Sequence, residues 1–489
     1  MKIDFSRLDR AFNPQTLVIV GDRLNGMWFN FRKNYKGQMY SVQVNAETAK
    51  AIEDTGIKNY PSVADVPGPV DLVIVAAPRA VSMQILDDCI RKDVAAVHYF
   101  TAGFSETGVQ EWIEAERRLT DKAKAANMHL IGPNCMGIYN TKAGIGQGIL
   151  PYSGFSAPIC LISQSGTHAS NFCQVAYTQA IDIDRGVSFG NGLVLDAADY
   201  LEYFDQDPVI KVIGMYLEGV RDGKRFLNVL RKVAAHKPVV IWKGGRTEEG
   251  GRAISSHTAS LAVSIAVWES AVKQCGAVPV GNMEELVDTM KALLFMPPVR
   301  GGRMGITGGS GGPSVAVADT FAEAGLKVPL LTDKSYSELA SFYSLVGGGY
   351  RNPIDTGNTN RREMKRIMEI LKLDANVDNI ALLASVRMGP GSGMGFGPGP
   401  GPGPGSGKGG GPMQEPENDF SILEAVREST DKPVMVIAPY VTPEDLKQSI
   451  DLVRKFQDKG IPAFSSMERG ARALKNALEY YRHRDEQGP

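Results

Sequence analysis

Short runs of apolar residues recur along this chain, each closed by glycine, serine, asparagine or proline and followed by residues at helical spacing. TLVIVG (16–21), VDLVIVAAP (70–78), AAVHYF (95–100) and MHLIGPN (128–134) make a first series. APICLISQSG (157–166), DRGVSFGN (184–191), VIKVIGMYLEG (209–219), KPVVIWKGG (237–245) and GAVPVG (276–281) make a second. GRMGITGGSGG (302–312), NIALLASVR (379–387), KPVMVIAPY (432–440) and GIPAFSS (460–466) make a third. A run that is apolar throughout suits a strand buried on both faces, as in a parallel sheet, and TGVQEWIEAERRLTDKAKAA (107–126) typifies the helices between. Strand and helix alternating in three series predict three doubly wound α/β domains, 1–145, 146–300 and 301–489, divided at the turn-rich TKAGIGQG and MPPVRGG. Residues 389–418, nearly all Gly, Pro and Ser, bury too little apolar surface to offset their ordering entropy and read as a disordered insertion in the third domain.

Composition excludes several classes of function. A formal net charge of −1 gives no reason to expect nucleic acid or an anionic membrane as partner. The N-terminal MKIDFSRLDRAF has no signal-peptide core, and no run reaches the roughly 18 apolar residues of a membrane span. The five cysteines are odd in number, lack C-x-x-C spacing and lie in or beside apolar stretches, which fits buried free thiols in a reducing cytoplasm. No Cys/His cluster has ligand spacing, so no metal site is expected.

Ligands of open α/β sheets collect at the carboxyl ends of strands, where helix N-termini offer unbonded N–H groups to anions. VIVGDRLNG (18–26) has this form, and Gly21 with Gly26 marks either a nucleotide-type site or a plain turn, because G-x-G-x-x-G is absent. In LISQSGTHAS (161–170), Ser163, Ser165 and Gly166 suit a phosphate cradle, the two serines also suiting a helix cap. ITGGSGGPS (306–314) leaves bare backbone at Gly311 and Gly312 but lacks the Gly-Lys-Ser/Thr ending of a Walker A loop. His257 lies in AISSHTAS (253–260) behind KGGRTEEGG (243–251), a composition that predicts an exposed, movable loop. Glu218 ends the run IGMYLEG, where it is either solvated or bonded to an imidazole whose other nitrogen it leaves nucleophilic. Asp196 and Asp199 read as surface or capping acids, and His98, His129, His168, His236 and His483 as structural or surface groups.

Taken together, AGFSETG (102–108), GPNCMG (132–137), SQSG (163–166), SFGN (188–191), YLEG (216–219), KGGR (243–246), SHTAS (256–260), GGSGG (308–312), NPID (352–355) and GIPAF (460–464) resemble the α subunit of ADP-forming acyl-CoA synthetases, relatives of succinyl-CoA synthetase. The resemblance spans essentially the whole chain. It implies a CoA-binding Rossmann-like domain followed by two flavodoxin-like ligase domains. It makes His257 a phosphohistidine carrier and Glu218 the glutamate that orients it. The helix starts at Ser165-Gly166 and Gly311-Gly312 become paired phosphate holders, joined by Ser163. Implied CoA contacts fall at Gly21, Asp22, Arg23, Asn25, Asn45, Ala77 and Pro78. The chain departs from the family where VGDRLNG replaces a strand ending in Gly-Ala-Ser, so that Asp22 brings a negative charge near the phosphates of CoA, and where Ala259 replaces glycine. No ATP-grasp segment follows the third domain, which implies that ATP or ADP, with Mg2+, is handled by a separate ATP-grasp β subunit in an αβ or α2β2 enzyme. A CoA- or acyl-CoA-binding regulatory protein on the same scaffold is the alternative. An NAD-dependent dehydrogenase fits less well, because YSVQVNAET offers only Asn45 and Glu47 as a ribose anchor.

Overall fold

The computed structural model describes residues 3–146, 158–181, 183–258, 264–309, 311–343, 350–356, 361–384, 419–440 and 442–487. Most of its strands are the apolar runs. The first series supplies β1 (Thr16–Val20), β4 (Leu72–Val75), β5 (Ala96–Tyr99) and β6 (His129–Ile131), and two strands outside that series, β2 (Gln38–Val42) and β3 (Asn59–Tyr60), join them. They lie in the order β3-β2-β1-β4-β5-β6, all parallel. This is the doubly wound order of dinucleotide-binding folds, and the winding reverses between β1 and β4.

The second series gives β8 (Ile159–Ser163), β9 (Arg185–Ser188), β10 (Val212–Leu217), β11 (Val239–Lys243) and β12 (Val278–Val280), joined by β7 (Gly137–Asn140) from before that series, in the order β12-β11-β10-β8-β9-β7. Only β7 is antiparallel. Without that edge strand the order is flavodoxin-like, and its winding reverses between β8 and β10. β7 precedes the boundary expected near 145 yet pairs with β9, because the turn Gly132–Met136 leads from β6 directly to the edge of the next sheet. Residues 1–177 and 181–286 form one compact unit, with a shared core that includes Leu8, Phe12, Trp28, Ile162, Phe189 and Tyr200. Asp196 and Asp199 close a capping box on the helix Ala197–Gln206, the role expected of them.

The second unit, residues 178–180 and 287–489, holds β13 (Met304–Thr307), β14 (Asn379–Leu383), β15 (Val434–Ile437) and β16 (Ala463–Phe464), parallel and in sequence order. Ile354 adds a parallel bridge to Thr307 on the other side of β13, so the winding reverses between β13 and β14. Asn352 of the NPID motif secures that edge, accepting from Ile306 N at 2.9 Å and donating to the Met304 and Pro329 carbonyls at 2.6 and 2.9 Å. The insertion 389–418 lies outside the described residues. Cys89, Cys135, Cys160 and Cys275 are buried and Cys173 half-buried, none in a disulfide. Among the described residues no helix is long and apolar enough to cross a membrane, and no group of three or more His, Cys, Asp or Glu is arranged to hold a metal.

One buried charge in this unit gives stability a pH dependence. Lys291 is fully buried, donating to Ala463 O at 2.7 Å and Gln179 Oε1 at 3.0 Å, and burial lowers its ammonium from an ordinary 10.5 to about 7. Between those pH values the unfolded chain holds the proton that the folded chain has released, so stability rises with pH across the window. Lys291→Met is expected to flatten that rise, read as the unfolding midpoint from pH 7 to 10 against the unsubstituted chain.

Candidate active site

The reversal of winding between β8 and β10 leaves their carboxyl ends uncovered by a crossover, and most of the second domain's candidate residues gather there. Ser163 ends β8; its buried hydroxyl donates to Ser165 O at 2.7 Å and accepts from Ser165 N at 3.1 Å, folding the turn on itself. Ser165 then caps the helix Gly166–Thr178, its Oγ accepting from His168 N at 3.3 Å and its carbonyl from Ala169 N at 3.1 Å. The N–H groups of Gly166 and Thr167 have no protein acceptor among the described residues, which leaves a positive helix terminus facing the crevice. Gly166 is also fixed by packing: a Cβ there would strike Met136 Cγ, so the GPNCMG and SQSG motifs constrain each other.

Glu218 follows β10 at 7% exposure. Gln164 holds its backbone in place: Oε1 accepts from Glu218 N and, at 2.9 Å, from Gly219 N, while Gln164 N donates to Tyr216 O at 3.0 Å. From below, the buried Lys243 Nζ donates to Glu218 O at 2.8 Å and Gly244 O at 2.6 Å, and burial lowers its ammonium pKa. The Tyr216 hydroxyl donates to Glu218 Oε1 at 3.4 Å, and burial beside that carboxylate raises the phenol. Gln164 escaped sequence reading because its partners lie on another strand.

The loop expected around His257 is a helix, Glu248–Thr258. Thr247 caps it, Oγ1 accepting from Gly250 N at 3.1 Å and the carbonyl from Gly251 N at 2.8 Å, and Glu248 and Glu249 occupy the first turn. Thr-Glu-Glu was the start signal, obscured by Gly250 and Gly251. Arg252 pairs with Glu248 at 2.7 Å, one turn on. His257 lies on this helix; its imidazole and residues 259–263, Ala259 among them, lie outside the described residues. The helix packs on the turn Ser105–Thr107 of AGFSETG. That turn is tied to the second sheet, Asn191 Nδ2 donating to Glu106 Oε2 at 3.1 Å and Glu116 Oε2 at 3.3 Å.

At the first sheet's reversal, Gly21 after β1 meets Ala77 after β4. Gly21 has φ +83°, and a Cβ on it would lie 2.9 Å from Ala77 Cα, so only backbone fits between these strand ends. Arg23, Asn25 and Pro78 are exposed nearby. Asp22 turns its carboxylate inward, Oδ1 accepting from Arg23 N at 2.9 Å and Oδ2 from Trp28 N at 2.8 Å, so its charge serves the loop. Asn45 caps the helix Ala46–Glu53, accepting from Thr48 N at 2.9 Å. In the second unit, Gly308 has φ +101° and no room for a Cβ against the Leu383 carbonyl, whereas nothing lies within 4 Å of one built on Gly312. The helix Gly311–Glu323 starts there, and Ser310 lies outside the described residues.

His168, expected to be a structural or surface group, stands half-buried on the first turn of the helix after β8, its ring against Tyr216 and Trp242. Burial lowers its imidazole pKa, with the charge of Glu218 opposing.

Comparison with known proteins fits this geometry. A family described as "CoA binding domain" matches residues 19–141, and one described as "Succinyl-CoA ligase like flavodoxin domain" matches residues 156–293. The α subunit of acetate–CoA ligase (ADP-forming) II from Pyrococcus furiosus is 33% identical over 471 residues, 94% of this chain and 95% of that protein. The chain belongs to the family of ADP-forming acyl-CoA synthetase α subunits. Acetate–CoA ligase (ADP-forming) I from Archaeoglobus fulgidus is 32% identical over 76% of this chain, a match covering 54% of that protein. Among solved structures, an acetyl-coenzyme A synthetase 1 from Ca. Korarchaeum cryptofilum, in complex with phosphate and ADP, superposes with a TM-score of 0.80 at 29% identity, over 98% of this chain and 97% of that one.

Within this synthetase fold, Gln164 is the residue on which the placement of Glu218 turns. Gln164→Ala leaves two backbone N–H groups without their acceptor and is expected to cost about 2 kcal/mol of stability. Urea unfolding of the variant measures this, and a loss under about 0.5 kcal/mol, the size of an ordinary surface substitution, refutes the bridge.

Proposed function

We propose that this chain is the α subunit of an enzyme interconverting acyl-CoA, ADP and phosphate with a carboxylic acid, CoA and ATP. One observation carries the reading: in a chain of this family, the switch point of the second sheet sets a capped helix N-terminus, whose Gly166 and Thr167 N–H groups have no protein acceptor among the described residues, beside a buried glutamate. Full-length relatives named as ligase α subunits support it. No observation favours the regulatory alternative.

In this reading a phosphate oxygen attacks the thioester carbonyl, the C–S bond breaks and CoA leaves as its thiol. A ring nitrogen of His257 attacks the phosphorus of the resulting acyl phosphate, and the P–O bond to the acyl oxygen breaks, releasing carboxylate. ADP takes the phosphoryl group from the histidine. Each step needs positioning and charge stabilisation more than new covalent chemistry from the protein. Gly166 and Thr167 N–H groups, held by Ser163 and Ser165, stabilise phosphoryl charge, and the Gly311–Gly312 helix start has the same chemistry. Glu218 accepts from one ring nitrogen and keeps the other unprotonated. CoA lies at the β1/β4 crevice: Gly21 and Ala77 admit close backbone approach, Pro78 lines the edge, and Arg23, Asn25 and Asn45 offer polar groups. ADP or ATP with Mg2+ belongs to a partner, an ATP-grasp β subunit in an αβ or α2β2 assembly. Relatives named as α subunits support a partner of this kind. A CoA domain over 1–145 and ligase domains over 146–300 and 301–489, working in a reducing cytoplasm, complete the proposal.

Incubating the chain with acyl-CoA and phosphate is expected to add one acid-labile phosphate by intact mass, which His257→Ala abolishes. Glu218→Gln is expected to slow the labelling about 100-fold, within the range for a group acting in proton placement. Full turnover by His257→Ala refutes the carrier.

A further inference from the structure

The turn after β13 holds two residues that weaken the protein when nothing is bound there. Ser314, in the first turn of the helix Gly311–Glu323, is only 8% exposed, yet its hydroxyl has no hydrogen-bond partner among the described residues. A buried hydroxyl left unbonded costs free energy, and Thr320 on the same helix avoids that cost by donating to Ala316 O at 2.8 Å. Ser314 Oγ lies 3.4 Å from where a Cβ on Gly309 would stand, so the hydroxyl faces back into the glycine turn.

Gly312 raises the same question from the other side. Its φ lies outside the left-handed region that favours glycine, and nothing lies within 4 Å of a Cβ built on it. Neither backbone conformation nor a protein neighbour calls for glycine there, and a helix is weakened by glycine where alanine would fit. Gly308 and Gly309 differ, since a Cβ on either would strike the end of β14, at the Leu383 carbonyl or its side chain. Pro313, between the two unexplained residues, has no N–H, so the first turn offers an anion one backbone donor fewer than usual. Thr356 N donates to Gly309 O at 2.9 Å, which engages a carbonyl of the turn.

Resting on the synthetase reading, we propose that the Ser314 hydroxyl is a ligand-binding donor, bonding an oxygen of a phosphate group held at this helix start. Gly312 keeps its Cα bare so that the same phosphate can close on the backbone. The bound group then supplies the partner that Ser314 lacks and fills the space that Gly312 leaves. The phosphate is either free or the terminal group of a nucleotide, and the two sources share this chemistry.

The test follows thermal unfolding of the full chain alone, over a range of inorganic phosphate and over a range of ADP, which yields an apparent Kd for each. Without ligand, Ser314→Ala and Gly312→Ala are each expected to unfold at or above the wild-type temperature. Ser314→Ala is expected to weaken the bound anion about tenfold, the size of one hydrogen bond to a charged acceptor, and Gly312→Ala by at least as much. Weakened binding of phosphate assigns the site to the free ion, and weakened binding of ADP alone assigns it to a nucleotide. A Ser314→Ala chain that unfolds below the wild type, or that binds both anions as the wild type does, overturns the site. So does a wild type that neither anion stabilises. Phosphate uptake on His257 from acyl-CoA in the wild type checks the synthetase reading separately, and it stands if that uptake occurs while Ser314→Ala changes nothing.

Discussion

A single carboxamide holds the catalytic crevice in register. Gln164 stands at the end of β8, and its side chain accepts the first two N–H groups beyond β10, those of Glu218 and Gly219. The two strands are neighbours whose helices depart in opposite directions, so no crossover backbone is present to satisfy those donors. Without that acceptor, Glu218 would have to turn toward water, and the helix N-terminus at Gly166 would face a carboxylate of no fixed position. Lys243 supports the same turn from beneath through the Glu218 carbonyl. A positive helix terminus and a negative side chain thus stand at neighbouring strand ends, with the backbone of Glu218 tied to Gln164 and Lys243.

The motifs that flank this crevice are coupled through glycines. Gly166 lacks a Cβ because Met136 occupies its space, and Gly190 because the Pro133 and Asn134 carbonyls do. Both neighbours belong to the turn between β6 and β7, which passes from the first sheet to the second. Within the first unit, then, the phosphate-facing helix is set by the path of the chain leaving the CoA-type domain. Small residues here are demanded by protein neighbours first, and the room for a ligand is what remains.

Most strands were readable because continuous apolar runs have few other homes, and the three winding series followed from them; β2 and β3 were missed, the one carrying the polar Gln38 and Ser41 and the other only two residues long. The order of strands was not, since pairing depends on which face each crossover takes, and β7 hid in a run ending in the polar Asn140. The helix bearing His257 was missed because two glycines outweighed a threonine cap and paired glutamates, although cap and charge act at the terminus, where glycine costs least. Gln164 carried no signal of its own. A residue between two serines acquires its role only when register sets β8 beside β10.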